Sequence, residues 1–124
     1  MPVLYVTGIS NEIREGALGR LSDDLRAEIS SIPELRLKKD DITIFFPCDR
    51  RTIGLGGEII VDVGLLFDKP ERTLEVRNQM AERITATIAK HIPRGRLLVE
   101  CSVPPFDRQR SGFSQFKRGV DSNK

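Results

Sequence analysis

The sequence predicts an α+β fold: a duplicated βαβ unit, in the order βαββαβ, with four strands in one mixed sheet and two helices on one face. Three observations predict it. A short β-rich run is followed by a long stretch of helical periodicity and a second short strand, and the same order recurs after a glycine-rich link. The two units, at about residues 2–46 and 58–103, are similar in length, as expected of one unit copied. Right-handed crossovers place both helices on the same side of the sheet. The chain has 124 residues, 39% apolar and 31% charged, enough to bury one core, so residues 1–105 are expected to form one soluble domain and 106–124 a partly disordered tail.

The elements follow in order. Val3 to Thr7 is a β-rich strand. Asn11 is a candidate N-cap, and Ile13, Ala17, Leu21, Leu25 and Ile29 share one helical face, predicting a helix over about Glu12 to Ser31 that ends before Pro33. Ile42 to Phe46 is a strand stopped by Pro47, and CDRRTIGLGGE is turn chemistry. Glu58 to Phe67 is a second β-branched run, and Pro70 suits the first turn of a helix reaching Lys90 with the stripe Leu74, Met80 or Ala81, Ile84, Ile88. Leu97 to Val103 is the last strand. Ile42, Ile44, Phe46, Ile60, Val63 and Leu65 put apolar side chains on both sheet faces, so the face without helices calls for a second layer, most simply another copy of the chain.

Composition also excludes. A net charge of +2 gives no case for nucleic acid or an anionic membrane, and the longest apolar runs are strand-sized, so neither partner is expected. No signal-like segment precedes the first strand, which makes the cytoplasm the expected location. Cys48 and Cys101 are expected to be free and half-buried, and neither they nor the single His91, expected to meet the negative end of its helix dipole, have metal-ligand spacing. No cofactor is implied: GLGG runs into a strand and does not open a helix, so it is not a phosphate loop. The order βαββαβ also belongs to ferredoxin-like RNA-binding modules, but these need paired strand aromatics in a basic motif, which VDVGLLF and LLVECS lack.

The MP start, the doubled βαβ, the string IGLGGE and the later RTLEVR together resemble the tautomerase superfamily, which includes 4-oxalocrotonate tautomerase, malonate semialdehyde decarboxylase and macrophage migration inhibitory factor. The likeness runs from Pro2 to about Val103. It implies a homotrimer whose sheets surround a common axis and an enzyme, a tautomerase or isomerase, working on an enol or 2-keto form of a small carboxylate. It assigns Pro2, freed by removal of Met1, as the general acid–base. Such a proline is a secondary amine, and apolar surroundings or nearby cations keep an amine neutral near pH 7.

The resemblance also implies a cation for the carboxylate. Arg72, at the start of the second helix, matches the family's carboxylate-binding arginine, with Lys69 beside it. Arg50 and Arg51 at the hairpin tip are further candidates, and Arg36, with Lys38 and Lys39, lies near the place where cytokine-like members carry a pocket lysine. Ile53 stands where the hairpin aromatic is usual. The chain departs from the family in having no arginine in ITIFF and in carrying Leu98 and Glu100 on the last strand; Glu100, or Asp107, is a candidate acid for activating water in hydrolytic relatives. These departures leave two alternatives: hydration, dehalogenation or decarboxylation by the same proline, or an inactive trimer that serves as a binding protein.

Overall fold

The computed structural model describes residues 2–10, 12–48, 53–54 and 56–120. Its elements are β1 (Val3–Thr7), α1 (Glu15–Ser30), β2 (Thr43–Phe45), β3 (Glu58–Gly64), α2 (Leu74–His91) and β4 (Leu98–Ser102), with single 3-10 turns at Pro33–Leu35 and Lys39–Asp41. The sheet order is β2-β1-β3-β4. Within each unit the strands are parallel, and in both a residue faces the one forty positions later, Val3 with Thr43 and Glu58 with Leu98. The two units meet through β1 and β3, which are antiparallel from Val3 opposite Gly64 to Thr7 opposite Ile60. The sheet is therefore mixed, and its identical internal registers are what a copied unit leaves behind.

Alternation along the strands decides what is buried. Leu4 and Val6 of β1 and Ile59, Val61 and Val63 of β3 point into one core with Leu21, Leu25 and Ile29 of α1 and Val76, Met80, Ile84 and Ile88 of α2. Both helices thus lie on one face. They are also tied to each other: Nε2 of His91, the last residue of α2, lies 2.7 Å from Oδ2 of Asp24 in the middle of α1. The other face carries Tyr5, Phe45, Ile60 and Leu98, all exposed, with the Tyr5 and Phe45 rings stacked 5.6 Å apart. Ile42 and Val63 are buried in the core and Ile44 and Phe46 pack against it, whereas Ile60 and Leu65 are exposed.

Several boundaries differ from expectation, each for a local reason. The helix expected from Glu12 starts at Glu15, because Ile13 N–H donates to Ser10 O and Glu12 N–H to Ser10 Oγ in a preceding turn; the expected cap, Asn11, lies outside the described residues. Pro70 does not open α2. Arg72 N–H closes a turn on Lys69 O, and the helix is capped by Thr73, whose hydroxyl accepts from Val76 N–H. The strand expected to run to Phe67 stops at Gly64, because Leu65 has a left-handed φ of 57° and leaves the ladder.

The glycine-rich link works through its backbone. Gly56 and Gly57 have φ of 89° and 71°, and Gly57 O accepts Leu98 N–H at 2.9 Å, starting the β3–β4 ladder. A Cβ on Gly57 would stand 1.9 Å from Arg96 O, while one on Gly56 would meet open space. Gly56→Ala should therefore lose only the left-handed cost, about 1–2 kcal/mol. Gly57→Ala should lose clearly more, because the Arg96 backbone must also move. Chemical denaturation of the two variants beside the parent checks the difference.

Candidate functional site

Because β1 and β3 run in opposite directions, the two ends of the sheet collect different residues. The start of β1 lies beside the start of β2 and the end of β3. That end gathers Pro2, the segment after β3 that carries Lys69 and Arg72, and the chain before β2 that carries Arg36. The opposite end takes the link with Ile53, which is 83% exposed. Glu100, on β4, faces Ile60, which faces Thr7. Thr7 is five residues along the strand from Pro2, roughly 17 Å. Within one chain, then, the fold brings Pro2, Arg36, Lys69 and Arg72 to one end and leaves Ile53 and Glu100 away from it. Arg50 and Arg51 lie outside the described residues. Asp107 Oδ1 accepts Gln109 N–H within the tail at 2.9 Å.

Pro2 is buried, and its carbonyl accepts Thr43 N–H at 3.2 Å, the first bond joining β1 to β2. Gly57 holds the matching place in the second unit, where its carbonyl accepts Leu98 N–H. Having no N–H costs Pro2 nothing at the first position of a strand.

Arg72 has a different setting from the one expected. It is only 6% exposed; Nη1 donates to Phe67 O and Nη2 to Leu35 O, each at 2.9 Å. Both terminal nitrogens are thus committed to backbone, and the guanidinium pins the segment before β2 to the segment after β3. Its Nε is buried without a partner. Burial lowers its pKa from the ordinary arginine value, against an opposing effect of Glu71. Arg77 supports the same turn by donating to Arg72 O and pairing with Asp68 at 3.6 Å. Lys69 is exposed in the shallow cleft of about 360 Å³ that these residues form with Pro70 and Thr73. Arg36 is also exposed and takes a left-handed φ of 52°.

A second cleft, about 220 Å³, opens beside the start of β1 between Val3, Thr43, Leu65, Phe67, Phe113, Ser114 and Gln115. The tail reaches it because Phe106 pairs with the segment after β3: Phe106 N–H donates to Leu66 O and Asp68 N–H to Phe106 O. The Phe67, Phe106 and Phe113 rings then pack at 5.5–5.7 Å. Arg108 caps the group, its guanidinium carbon 5.0 Å from the Phe67 centroid and 5.3 Å from that of Phe113. Sequence reasoning did not single out Phe67 or Phe106. The tail string RQRSGFSQFKR interleaves cations with Phe113 and Phe116, but only the fold shows that Arg108 lies over Phe67 and Phe113. Asp121–Lys124, at the tail's end, lie outside the described residues.

Both cysteines are free. Cys101 is half-buried, and burial, with Asp62 adding, pushes its thiol from 9.0 up to about 12; Cys48, expected to be half-buried, is exposed. No helix among the described residues is long and apolar enough to cross a membrane.

No family model matches the chain, and no curated protein matches it. Solved structures do. A protein of unknown function from Vibrio cholerae aligns at a TM-score of 0.63 and 20% identity, covering 90% of this chain and 83% of that one. The fused 4-OT wild type symmetric trimer aligns at 0.66 and 13% identity, covering 90% and 91%. N1, a member of the cis-3-chloroacrylic acid dehalogenase family, aligns at 0.61 and 16% identity, covering 83% and 75%. At these identities the likeness is one of fold, and the fold is the one the resemblance implied, that of the tautomerase superfamily.

Two outcomes follow from these settings. Arg72→Ala removes two charge-assisted bonds to backbone, each worth about 1.5–3 kcal/mol, and should lower unfolding free energy by about 3 kcal/mol or more. Arg72→Lys should not restore it, since an ammonium lacks the fork that spans two carbonyls; denaturant titration measures both. Iodoacetamide near pH 8 should add one label to the folded protein, at Cys48, and two after unfolding, because thiolate, not thiol, reacts; intact mass reads the count.

Proposed function

We propose that the protein is a tautomerase-type enzyme in which Pro2, freed by removal of Met1, is the general acid–base for an enol or 2-keto carboxylate. The observation that carries this reading is the position of Pro2: buried at the end of the sheet where the segments bearing Lys69 and Arg36 converge, in a fold shared with the fused 4-OT. A free α-amino group titrates at about 8, and burial favours the neutral form of such an amine. Neutral, it takes the enol's hydroxyl proton and returns it to the adjacent carbon. Lys69 and Arg36 are exposed cations at that end and hold the carboxylate, while Arg72 keeps the two segments in place. The protein acts as a cytoplasmic homotrimer. The exposed Tyr5, Phe45, Ile60 and Leu98 on the outer sheet face support association. In such a trimer a neighbour's link, with Arg50, Arg51 and Ile53, completes the site. A second reading, a trimer that binds a carboxylate without turning it over, is favoured by the commitment of the Arg72 guanidinium to backbone.

Intact mass first shows whether Met1 is removed. Ketonisation of phenylenolpyruvate and 2-hydroxymuconate is then followed in the ultraviolet across pH. Pro2→Ala should lose a factor of about 10² to 10⁴ in rate, the usual contribution of a positioned acid–base group. Lys69→Ala should raise KM more than it lowers kcat. A retained Met1, a parent no faster than buffer, or a Pro2→Ala variant as fast as the parent sinks proline catalysis and favours the binding reading.

A further inference from the structure

We infer that residues 106–115 form a strap whose docking orders the turn that presents Lys69, so that tail and turn open together. The chain leaving β3 is the element they share. Phe67 and Phe106 make a single parallel bridge, in which Phe106 N–H donates to Leu66 O and Asp68 N–H to Phe106 O, each at 2.9 Å. The Phe67 carbonyl goes instead to Arg72 Nη1. Residues 66–68 are thus gripped twice, by the tail and by a buried guanidinium. The strap's hold is separate from that of β4, because Pro104 and Pro105, which have no N–H to give a ladder, stand between the end of β4 at Ser102 and Phe106. Beyond them the tail is held chiefly by the bridge, the packed rings of Phe67, Phe106 and Phe113, and Arg108 lying over two of those rings. So small a unit opens at lower cost than the core, and as a block.

Opening reaches Lys69 through Arg72. Only 6% exposed and with Nε already unpartnered, the Arg72 guanidinium relies on two carbonyls, those of Phe67 and Leu35. A shift of the chain at Phe67 takes half of those partners from a buried charge, which costs far more than the loss of a surface contact. Arg72 therefore moves with Phe67, and so does its N–H, which closes the turn on Lys69 O. Asp68 adds a second link: its N–H bonds the tail, while its carboxylate pairs with Arg77 of α2 at 3.6 Å. The strap stands on these bonds alone. Its effect on a substrate rests on the proposed reading, in which Lys69 holds the carboxylate, so that a bound carboxylate and a docked strap stabilise each other.

Hydrogen exchange at the amides of Phe106, Asp68 and Arg72 tests the coupling, in the full-length protein and at a concentration where sedimentation gives parent and variants one assembly state. Arg72 is the informative amide, because its acceptor, Lys69 O, is no part of the tail. In the parent all three should share one protection factor, lower than that of the β1–β3 ladder. Arg108→Ala, at an exposed position that spares folding, should speed all three alike by about two- to fivefold, the worth of an exposed cation–π contact. Arg108→Lys, which keeps a cation there, should restore most of the protection, and Phe113→Ala should speed the three further. Arg72 protection that matches the ladder and not the tail, or that stays at the parent's value in Arg108→Ala and Phe113→Ala, overturns the strap. Added at about ten times its Kd, 2-oxobutanoate should slow all three by about tenfold. A protein that does not bind it, with the three amides still opening together, defeats Lys69 as the carboxylate grip and leaves the strap standing, whereas slowing at Arg72 with Phe106 unchanged defeats the strap alone.

Discussion

Five residue pairs, from Val3 with Gly64 to Thr7 with Ile60, join the two units, and the direction of that seam governs what the rest of the molecule can assemble. Because it is antiparallel, the chain leaving β3 arrives where the chain entering β1 begins. The segment that carries Lys69, Arg72 and Phe67 is therefore at the same end of the sheet as Pro2, though some seventy positions separate them in sequence. A parallel seam would have placed the same residues at the far end of β1, away from Pro2. The seam also sets the helices: with Leu4, Val6, Val61 and Val63 all facing one way, α1 and α2 share one core, and the other sheet face keeps its Tyr5–Phe45 stack in solvent.

At the Pro2 end, a single buried guanidinium does the joining. Phe67 illustrates the economy of the arrangement: its carbonyl accepts from Arg72, while its ring packs against Phe106 and Phe113 and carries Arg108 above it. One residue thus links the polar pin beneath α2 to the apolar cleft beside β1. The two arginines act in opposite environments. Arg72 is fixed by hydrogen bonds in the interior, and Arg108 rests on ring faces at the surface.

Periodic elements were legible in the sequence because their physics is local. Leu21, Leu25 and Ile29, and Met80, Ile84 and Ile88, recur at helical spacing whatever they pack on, and all six are buried. The order of strands and the similar size of the units were equally open to reading. Helix starts were not, because competing turns at Ser10 and Lys69 capture backbone N–H groups that periodicity cannot see. The site was legible in part. The segments bearing Pro2, Arg36 and Lys69 reach one end of the sheet, but no pattern in RTLEVR tells that Arg72 turns inward to the carbonyls of Phe67 and the distant Leu35. The aromatic cleft escaped for the same reason: Phe67 and Phe113 are forty-six positions apart, and their contact exists only once Phe106 has paired with the chain beyond β3.

The correspondence between Pro2 and Gly57 bears on how this architecture could be re-cut. Each is the residue whose carbonyl starts a parallel ladder, so the fold treats them as the same place, yet of the two only Pro2, once Met1 is removed, would present an amine. Copying the unit into one polypeptide thereby silences half of the amine positions that separate units would possess. A circular permutant opened at Gly57 would exchange the two roles, turning the glycine link into the terminus and burying the present start in a loop. Which end of the sheet would present an amine is, on this view, a property of where the gene is opened and not of the sheet itself.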